Sequence, residues 1–255
     1  MSGKRGISAR TGKRMRVTDT GDKGRHHGAT QLRHCSARLS RYGRGHFLSA
    51  MFMTPYWLLP TVVLVLGYLL GSIPFGLLLT RVTGAGDLRQ IGSGNIGATN
   101  VLRTGRKGLA AATLLLDLLK GAAAVLIGAA IVDGGGPMAG AMAFIGHCYP
   151  VWLRFAGGKG VATMMGVVTA LYWPAGIVFA LVWLGLLFGT RWSSVGGMSA
   201  GISAPIAMWA FDRVDLVPVS LAMALILLWR HRQNIARLTR GEEPKVGKSK
   251  TAMPE

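Results

Sequence analysis

The sequence predicts an all-α polytopic membrane protein with about seven transmembrane helices, two of them short. Three observations predict it. Half of the residues are hydrophobic and only 15% are charged, and the mean hydropathy is +0.38, which is too apolar for an ordinary soluble domain. Several apolar runs approach the ~20 residues that a bilayer span needs. Between them lie polar, glycine-rich loops, with none of the short alternating segments of a membrane β-barrel.

Residues 1–50 carry 12 Lys/Arg but only two acids, Asp19 and Asp22, and four of the six histidines. A leader of this composition cannot bury a core and is expected to be disordered. It reads either as an arm for nucleic acid or anionic lipid, or as a dispensable extension with Met51 or Met53 as the working start. The second reading is the expectation, with no nucleic-acid partner. No apolar h-region with a small-residue cleavage site follows it, so it is not a signal peptide. The integral-membrane domain is expected over residues 51–245, and a flexible tail over 246–255.

The first apolar run, 57–80, carries a kink signal at Gly71-Ser72-Ile73-Pro74. A polar loop, 81–108, separates it from the second span, 109–131, which ends at Asp133-Gly134-Gly135-Gly136. The third span is 137–153. The stretch 161–188 has 28 residues, short of the ~40 that two full spans need. It reads as two pieces, 161–172 and 174–188, broken near Trp173-Pro174, either a short tilted hairpin or a re-entrant pair. One long tilted helix is the competing view. Segments 194–211 and 216–229 complete the set. Cys35 and Cys148 imply neither a disulfide framework nor a metal site.

Loop charge orients the chain. Arg81, Arg89, Arg103, Arg106 and Lys107 share the first long loop. Arg154 and Lys159 share a later one, and Arg191, Arg230, Arg232, Arg237 and Arg240 follow. The positive-inside rule puts these loops and the C-terminus in the cytoplasm. The basic leader then falls on the opposite side, a second reason to place it outside the working protein.

Three polar stretches therefore share one face: 92–103 ("GSGNIGATNVLR"), 146–163 ("GHCYPVWLRFAGGKGVAT") and 231–243 ("HRQNIARLTRGEE"). In the first, Gly92, Gly94 and Gly97 allow sharp turns and close backbone approach. Ser93, Asn95, Thr99 and Asn100 supply hydrogen bonds and helix caps. A helix starting near Gly97 would aim free N–H groups at the loop, and Arg103 would add a forked donor suited to phosphate. In the second, Gly157, Gly158, Lys159 and Gly160 precede a helical run from Val161 and form another anion cradle. It is not a P-loop, whose spacing is absent. His147, ahead of Pro150, is expected to cap or pack. In the third, His231, Asn234 and Arg237 recur every three residues, on one face if helical. Asp117 and Lys120, three apart within the second span, are expected to form a structural ion pair. No acidic cluster has metal-ligand spacing. Two anion cradles beside lipid suggest a site where phosphorylated and acyl-chain ligands meet. A transporter of phosphorylated solutes would place its polar groups at the midplane instead, and a scaffold would need no anion loops.

These residues resemble a known family, the bacterial acyl-phosphate:glycerol-3-phosphate acyltransferases, integral-membrane enzymes that begin phospholipid synthesis. The resemblance runs from about residue 58 to 245. It rests on "GSIPFG" at 71–76, "DLRQIGSGNIGATNVLR" at 87–103, "LLLDLLKG" at 114–121 and the two later stretches, in order and at the family's spacing. It implies a seven-helix fold with the active site and C-terminus on the cytoplasmic side of the bacterial inner membrane. It implies transfer of a fatty acyl group from acyl phosphate to the 1-hydroxyl of sn-glycerol 3-phosphate, giving lysophosphatidic acid and phosphate. Neither acyl-CoA nor acyl carrier protein would be the direct donor, and no metal or other cofactor would be needed. Functional coupling to an acyl-phosphate-forming enzyme is implied as well. Catalytic roles carry over to Ser93, Arg103, His231 and Asn234. Phosphate and substrate contacts carry over to Gly94, Asn95, Gly97, Thr99, Asn100, loop 157–160 and Ser194, and a structural role to Glu243. The family often shows a second serine near Gly197; here Ser194 remains and Ser199 is the alternative. His231 is expected to bind and orient, with the hydroxyl proton going to His231 or to a substrate phosphate.

Overall fold

The computed structural model describes residues 55–247, so the expectations for the leader and for residues 248–255 lie outside the described residues. All regular structure among the described residues is helical. The α-helices are α1 (Leu58–Gly71), α2 (Phe75–Val82), α3 (Ala98–Val101), α4 (Lys107–Ile131), α5 (Gly135–Cys148), α6 (Val161–Leu171), α7 (Trp173–Thr190), α8 (Ser193–Ala210), α9 (Val217–Arg230) and α10 (Arg232–Thr239).

Helical segments stand at all seven expected places. Three meet the length and composition of a membrane crossing: Leu58–Val82, which joins α1 and α2 across their break, α4 and α7. A fourth is added if α9 and α10, bent by 55° to each other, count together. Helices α5 and α6 are shorter, at 14 and 11 residues. The break between α1 and α2 falls at Pro74, which has no N–H to continue α1 and instead precedes the first turn of α2. The third segment is shifted from the expected 137–153. Pro137 fits within the first turn of α5, and Pro150 ends the helical run, so 151–153 is a separate 3-10 turn. The single long helix over 161–188 does not form. Tyr172 is extended, with φ −157° and ψ 101°, and Pro174 lies in the first turn of α7.

The helices are built for lipid, with small and polar residues inward. Helix α4 buries Thr113, Asp117, Lys120, Gly121, Ala124 and Gly128, and turns Leu115, Leu119 and Leu126 outward. Lipid tails are as apolar as leucine, so close backbone packing has to hold such helices together. Glycines permit it. A Cβ at Gly71 in α1 would overlap the Ala143 backbone of α5, and one at Gly166 in α6 would overlap the Leu118 carbonyl of α4. The principal core runs through α5–α9, around Phe144, Met164, Val167, Phe179, Met208 and Leu227. Gly166→Val is therefore expected to prise α4 from α6 and destabilise the fold by ~1–3 kcal/mol. A thermal unfolding midpoint in detergent unchanged from the parent would contradict this.

Candidate active site

A cavity of about 120 Å³ lies among the helix ends where the three polar stretches meet. Ser93, Asn95, Gly97, Thr99, Asn100 and Arg103 line it from the first stretch, and Lys159 and Gly160 from the second. His231, Asn234, Arg237 and Glu243 line it from the third, with Ser194, Asp117 and His147. Gly94, Gly157, Gly158, Lys120 and Ser199 are not among the lining residues.

The first stretch is shaped by Asn100, which is buried. Its amide donates to the carbonyls of Leu88 and Ile91, both at 2.9 Å, and its Oδ1 accepts the Ser93 N–H at 3.3 Å. Asn100 thus spends its hydrogen bonds on folding the loop, not on a ligand. The expected helix at Gly97 forms, but α3 has only four residues and passes into a 3-10 turn, 102–104. That turn carries Arg103. A Cβ at Gly92 would lie 2.6 Å from Arg103 Cδ, so glycine there lets the arginine stem pack on the loop backbone. Arg103 makes no ion pair among the described residues, which leaves its guanidinium for an anion.

The second stretch departs from the expected cradle. The Gly157 N–H donates to the Cys148 carbonyl at 3.2 Å, and the Gly158 N–H to the His147 carbonyl at 3.0 Å. Those two amides are spent, so they are not anion donors. Arg230 takes both carbonyls, donating to Gly158 O at 3.0 Å and Gly157 O at 2.6 Å. The loop is pinned on two sides so that Lys159 can project. Gly160 then turns the chain into α6 with φ +86°, in the left-handed region that glycine reaches without strain.

Lys159 Nζ donates to Asn234 Oδ1 at 2.6 Å, and Asn234 Nδ2 donates to Glu243 Oε1, also at 2.6 Å. Glu243 is the hub. Ser194 Oγ donates to the same oxygen at 2.6 Å, and Arg237 Nε to Oε2 at 2.7 Å. Burial would raise the Glu243 carboxyl, but the hydrogen bonds from Ser194, Asn234 and Arg237 hold it below its ordinary value. Burial pushes Lys159 down to about 8, against the attraction of Glu243 and with Arg237, Arg230 and Arg103 adding to it. The Ser194 hydroxyl is therefore committed to Glu243. Its neighbour Ser193 faces the cavity and lies 2.9 Å from Thr99 Oγ1.

His231 sits in the bend between α9 and α10. Its Nδ1 is 2.8 Å from the Leu227 carbonyl. A carbonyl only accepts, so Nδ1 carries the proton and Nε2 is left as an acceptor. Burial pushes the imidazole down to about 4, so it is neutral at ordinary pH. Inside α4, Asp117 and Lys120 lie 2.7 Å apart, and the Lys120 ammonium also donates to the Ile73 carbonyl at 2.8 Å.

Sequence reasoning missed Ser193, Trp183 and the clamp made by Arg230. Ser193 was legible as half of a "SS" pair at a helix start. Arg230 carried no signal beyond being one of several basic residues after a span.

Fold and site together define a multi-pass integral-membrane protein that gathers cations and hydrogen-bond donors for phosphorylated ligands at one end of its helices. The profile of a family described as "Glycerol-3-phosphate acyltransferase" matches residues 61–241. A glycerol-3-phosphate acyltransferase of Rhodopseudomonas palustris (strain BisB5) is 56% identical over 188 residues, 73% of this chain and 96% of the relative. One from Bradyrhizobium sp. (strain BTAi1) is 54% identical over 202 residues, 78% of this chain and 100% of the relative. The crystal structure of PlsY (YgiH), an integral membrane glycerol 3-phosphate acyltransferase, in its glycerol 3-phosphate form, aligns with a TM-score of 0.70 at 36% identity, covering 74% of this chain and 96% of that one. Its lysophosphatidic acid form aligns with a TM-score of 0.69 at 35% identity, over 74% and 95%. The chain belongs to the glycerol-3-phosphate acyltransferase family.

Proposed function

We propose that this chain transfers a fatty acyl group from acyl phosphate to the 1-hydroxyl of sn-glycerol 3-phosphate, at the cytoplasmic face of the bacterial inner membrane. The observation that carries the reading is the convergence of Arg103 and Lys159 on one cavity. Both substrates bring phosphate, and holding two anions side by side requires cations. Lys159 holds the acceptor's phosphate as a compact charge, and Arg103 forks onto the donor's. The hydroxyl oxygen attacks the acyl carbon, and the bond from that carbon to the phosphate oxygen breaks. Phosphate is a good leaving group, so positioning and charge stabilisation suffice. His231 offers Nε2 to orient the hydroxyl. Burial holds its imidazole down to about 4, which suits an orienting acceptor better than a general base. In this reading a substrate phosphate takes the hydroxyl proton. Ser93 donates beside Arg103, and loop 157–160 with Gly94, Asn95, Gly97 and Thr99 shapes the pocket.

Residues 51–245 form the enzyme domain in this reading, and the leader is dispensable. The test is purified protein, full-length and starting at Met51, given radiolabelled glycerol 3-phosphate with acyl phosphate or acyl-CoA. Both chains should turn over with acyl phosphate alone. Robust turnover with acyl-CoA, with no acyl-phosphate-forming enzyme present, would overturn the donor assignment. Coupling to such an enzyme follows from the instability of a mixed anhydride in water and is tested by substrate channelling in mixed membranes.

The pH profile supplies a separate check. kcat/KM for glycerol 3-phosphate reports the free enzyme. It should fall as pH rises through about 8, where Lys159 loses the proton that attracts the dianion. It should also fall below ~6 as the substrate phosphate takes up a proton. A profile flat from neutrality to pH 10 would remove Lys159 from phosphate binding.

A further inference from the structure

We propose that the buried Asp117–His147 pair is a positioning device that sets the height of the Lys159 loop, and with it the affinity for the acceptor's phosphate. The inference rests on the reading that this loop binds glycerol 3-phosphate. His147 lies in the last turn of α5 and is buried. Its neighbour Gly146 fixes the place, because a Cβ there would overlap the Tyr68 carbonyl of α1. The His147 imidazole lies directly against Gly158: a Cβ on Gly158 would fall on Nε2. Thus the ring is the surface on which the loop rests, and Gly158 is glycine because the ring is there.

The ring's angle is set from the other side. Nδ1 faces Asp117 Oδ1 at 3.5 Å, and this buried nitrogen has no hydrogen-bond partner among the described residues. A buried polar atom without a partner is costly, so the Nδ1 side of the ring is drawn toward the Asp117 carboxylate on α4. Asp117 is held in turn by Lys120, at 2.7 Å, which is tied to Ile73 in the break between α1 and α2. Both Asp117 and His147 line the cavity that Lys159 enters. A hydrogen bond that is long without substrate commonly shortens in the complex. Filling the cavity presses the loop onto the ring and the ring onto Asp117.

The test separates positioning from mere support of the fold. His147→Leu removes the nitrogen facing Asp117, while His147→Asn keeps a donor near the same point. His147→Leu should raise KM for glycerol 3-phosphate about 10- to 100-fold, with kcat within about threefold and KM for acyl phosphate unchanged. His147→Asn should recover part of that loss, since it restores a donor to Asp117 but not the ring beneath Gly158. If His147→Leu does not fold, Gly158→Ala serves instead, since its methyl displaces the ring and should raise the same KM. Lys159→Ala is run alongside. If Lys159→Ala leaves KM for glycerol 3-phosphate unmoved, the loop reading fails. If it raises KM while neither His147→Leu nor Gly158→Ala does, or if His147→Asn is as impaired as His147→Leu, the positioning proposal alone is overturned.

Discussion

Lys159→Ala is expected to lower kcat/KM for glycerol 3-phosphate by ~2–4 kcal/mol, on the order of 30- to 900-fold. The ammonium is desolvated, which disfavours its charged form and pushes it down to about 8. A phosphate dianion arriving beside it meets a full charge with little competing water. Removing that charge leaves the phosphate poorly paired in a partly dry cavity, since Arg103 is assigned to the donor's phosphate and the other two arginines nearby are engaged otherwise. Arg230 is spent on the loop carbonyls, and Arg237 on Glu243. Lys159→Arg keeps the charge but replaces a compact head with a planar fork. It must also lose the 2.6 Å contact to Asn234 in its present form, so it too should be impaired. Saturating glycerol 3-phosphate should protect Lys159 from an amine reagent. Near-normal activity of Lys159→Ala at low glycerol 3-phosphate would make loop 157–160 a structural turn and nothing more.

The helices were legible because lipid imposes a simple rule on them. Apolar runs must be helical, and proline and glycine clusters must punctuate them. The breaks at Pro74 and Trp173-Pro174 follow directly. Boundaries were less legible where proline was tolerated: Pro137 reads as a start but fits two residues inside α5. The three polar stretches were recognisable as a site from residue type and spacing. Who bonds to whom was not. Nothing in "GGKG" reveals that the first two amides are consumed by the end of α5, because that depends on the turn 148–157 folding back. Nor does a serine at 194 reveal that its hydroxyl belongs to a glutamate 49 residues on. Such pairings are set by helix packing, which composition and period do not encode. The same holds for Val246. Composition puts it at the start of a flexible tail, yet it exchanges hydrogen bonds with Arg191, at 2.8 Å to the Arg191 carbonyl and 3.2 Å from its guanidinium.

Glu243→Ala is expected to damage stability and activity together. The carboxylate joins Ser194 of α8 to Asn234 and Arg237 of α10, and its own carbonyl accepts from Trp192 Nε1 at 3.1 Å. Lys245 lies over the Trp192 ring at 5.0 Å, so the segment straps the α7–α8 turn to the end of α10. Removing the carboxylate frees Asn234, and Asn234 is what orients Lys159. Breaking a fully buried ion pair costs ~3–5 kcal/mol. Arg237 is 27% exposed, and solvent screening lowers the expectation to ~1–3 kcal/mol. Glu243→Gln keeps one accepting oxygen and should fall between the parent and Glu243→Ala. The acid response fixes the sign. The folded carboxyl is held below its ordinary value of 4.5. Its contribution is therefore fully present above that value and lost as pH falls through the lower folded one. The difference in unfolding midpoint between parent and Glu243→Gln should be largest near neutrality and close as the solution is acidified. Saturating glycerol 3-phosphate should also narrow it, since a bound dianion supplies Arg237 and Lys159 with the negative charge they have lost. A midpoint difference independent of both pH and ligand would mean that Glu243 acts through packing alone, and that the strap does not couple α10 to the phosphate site.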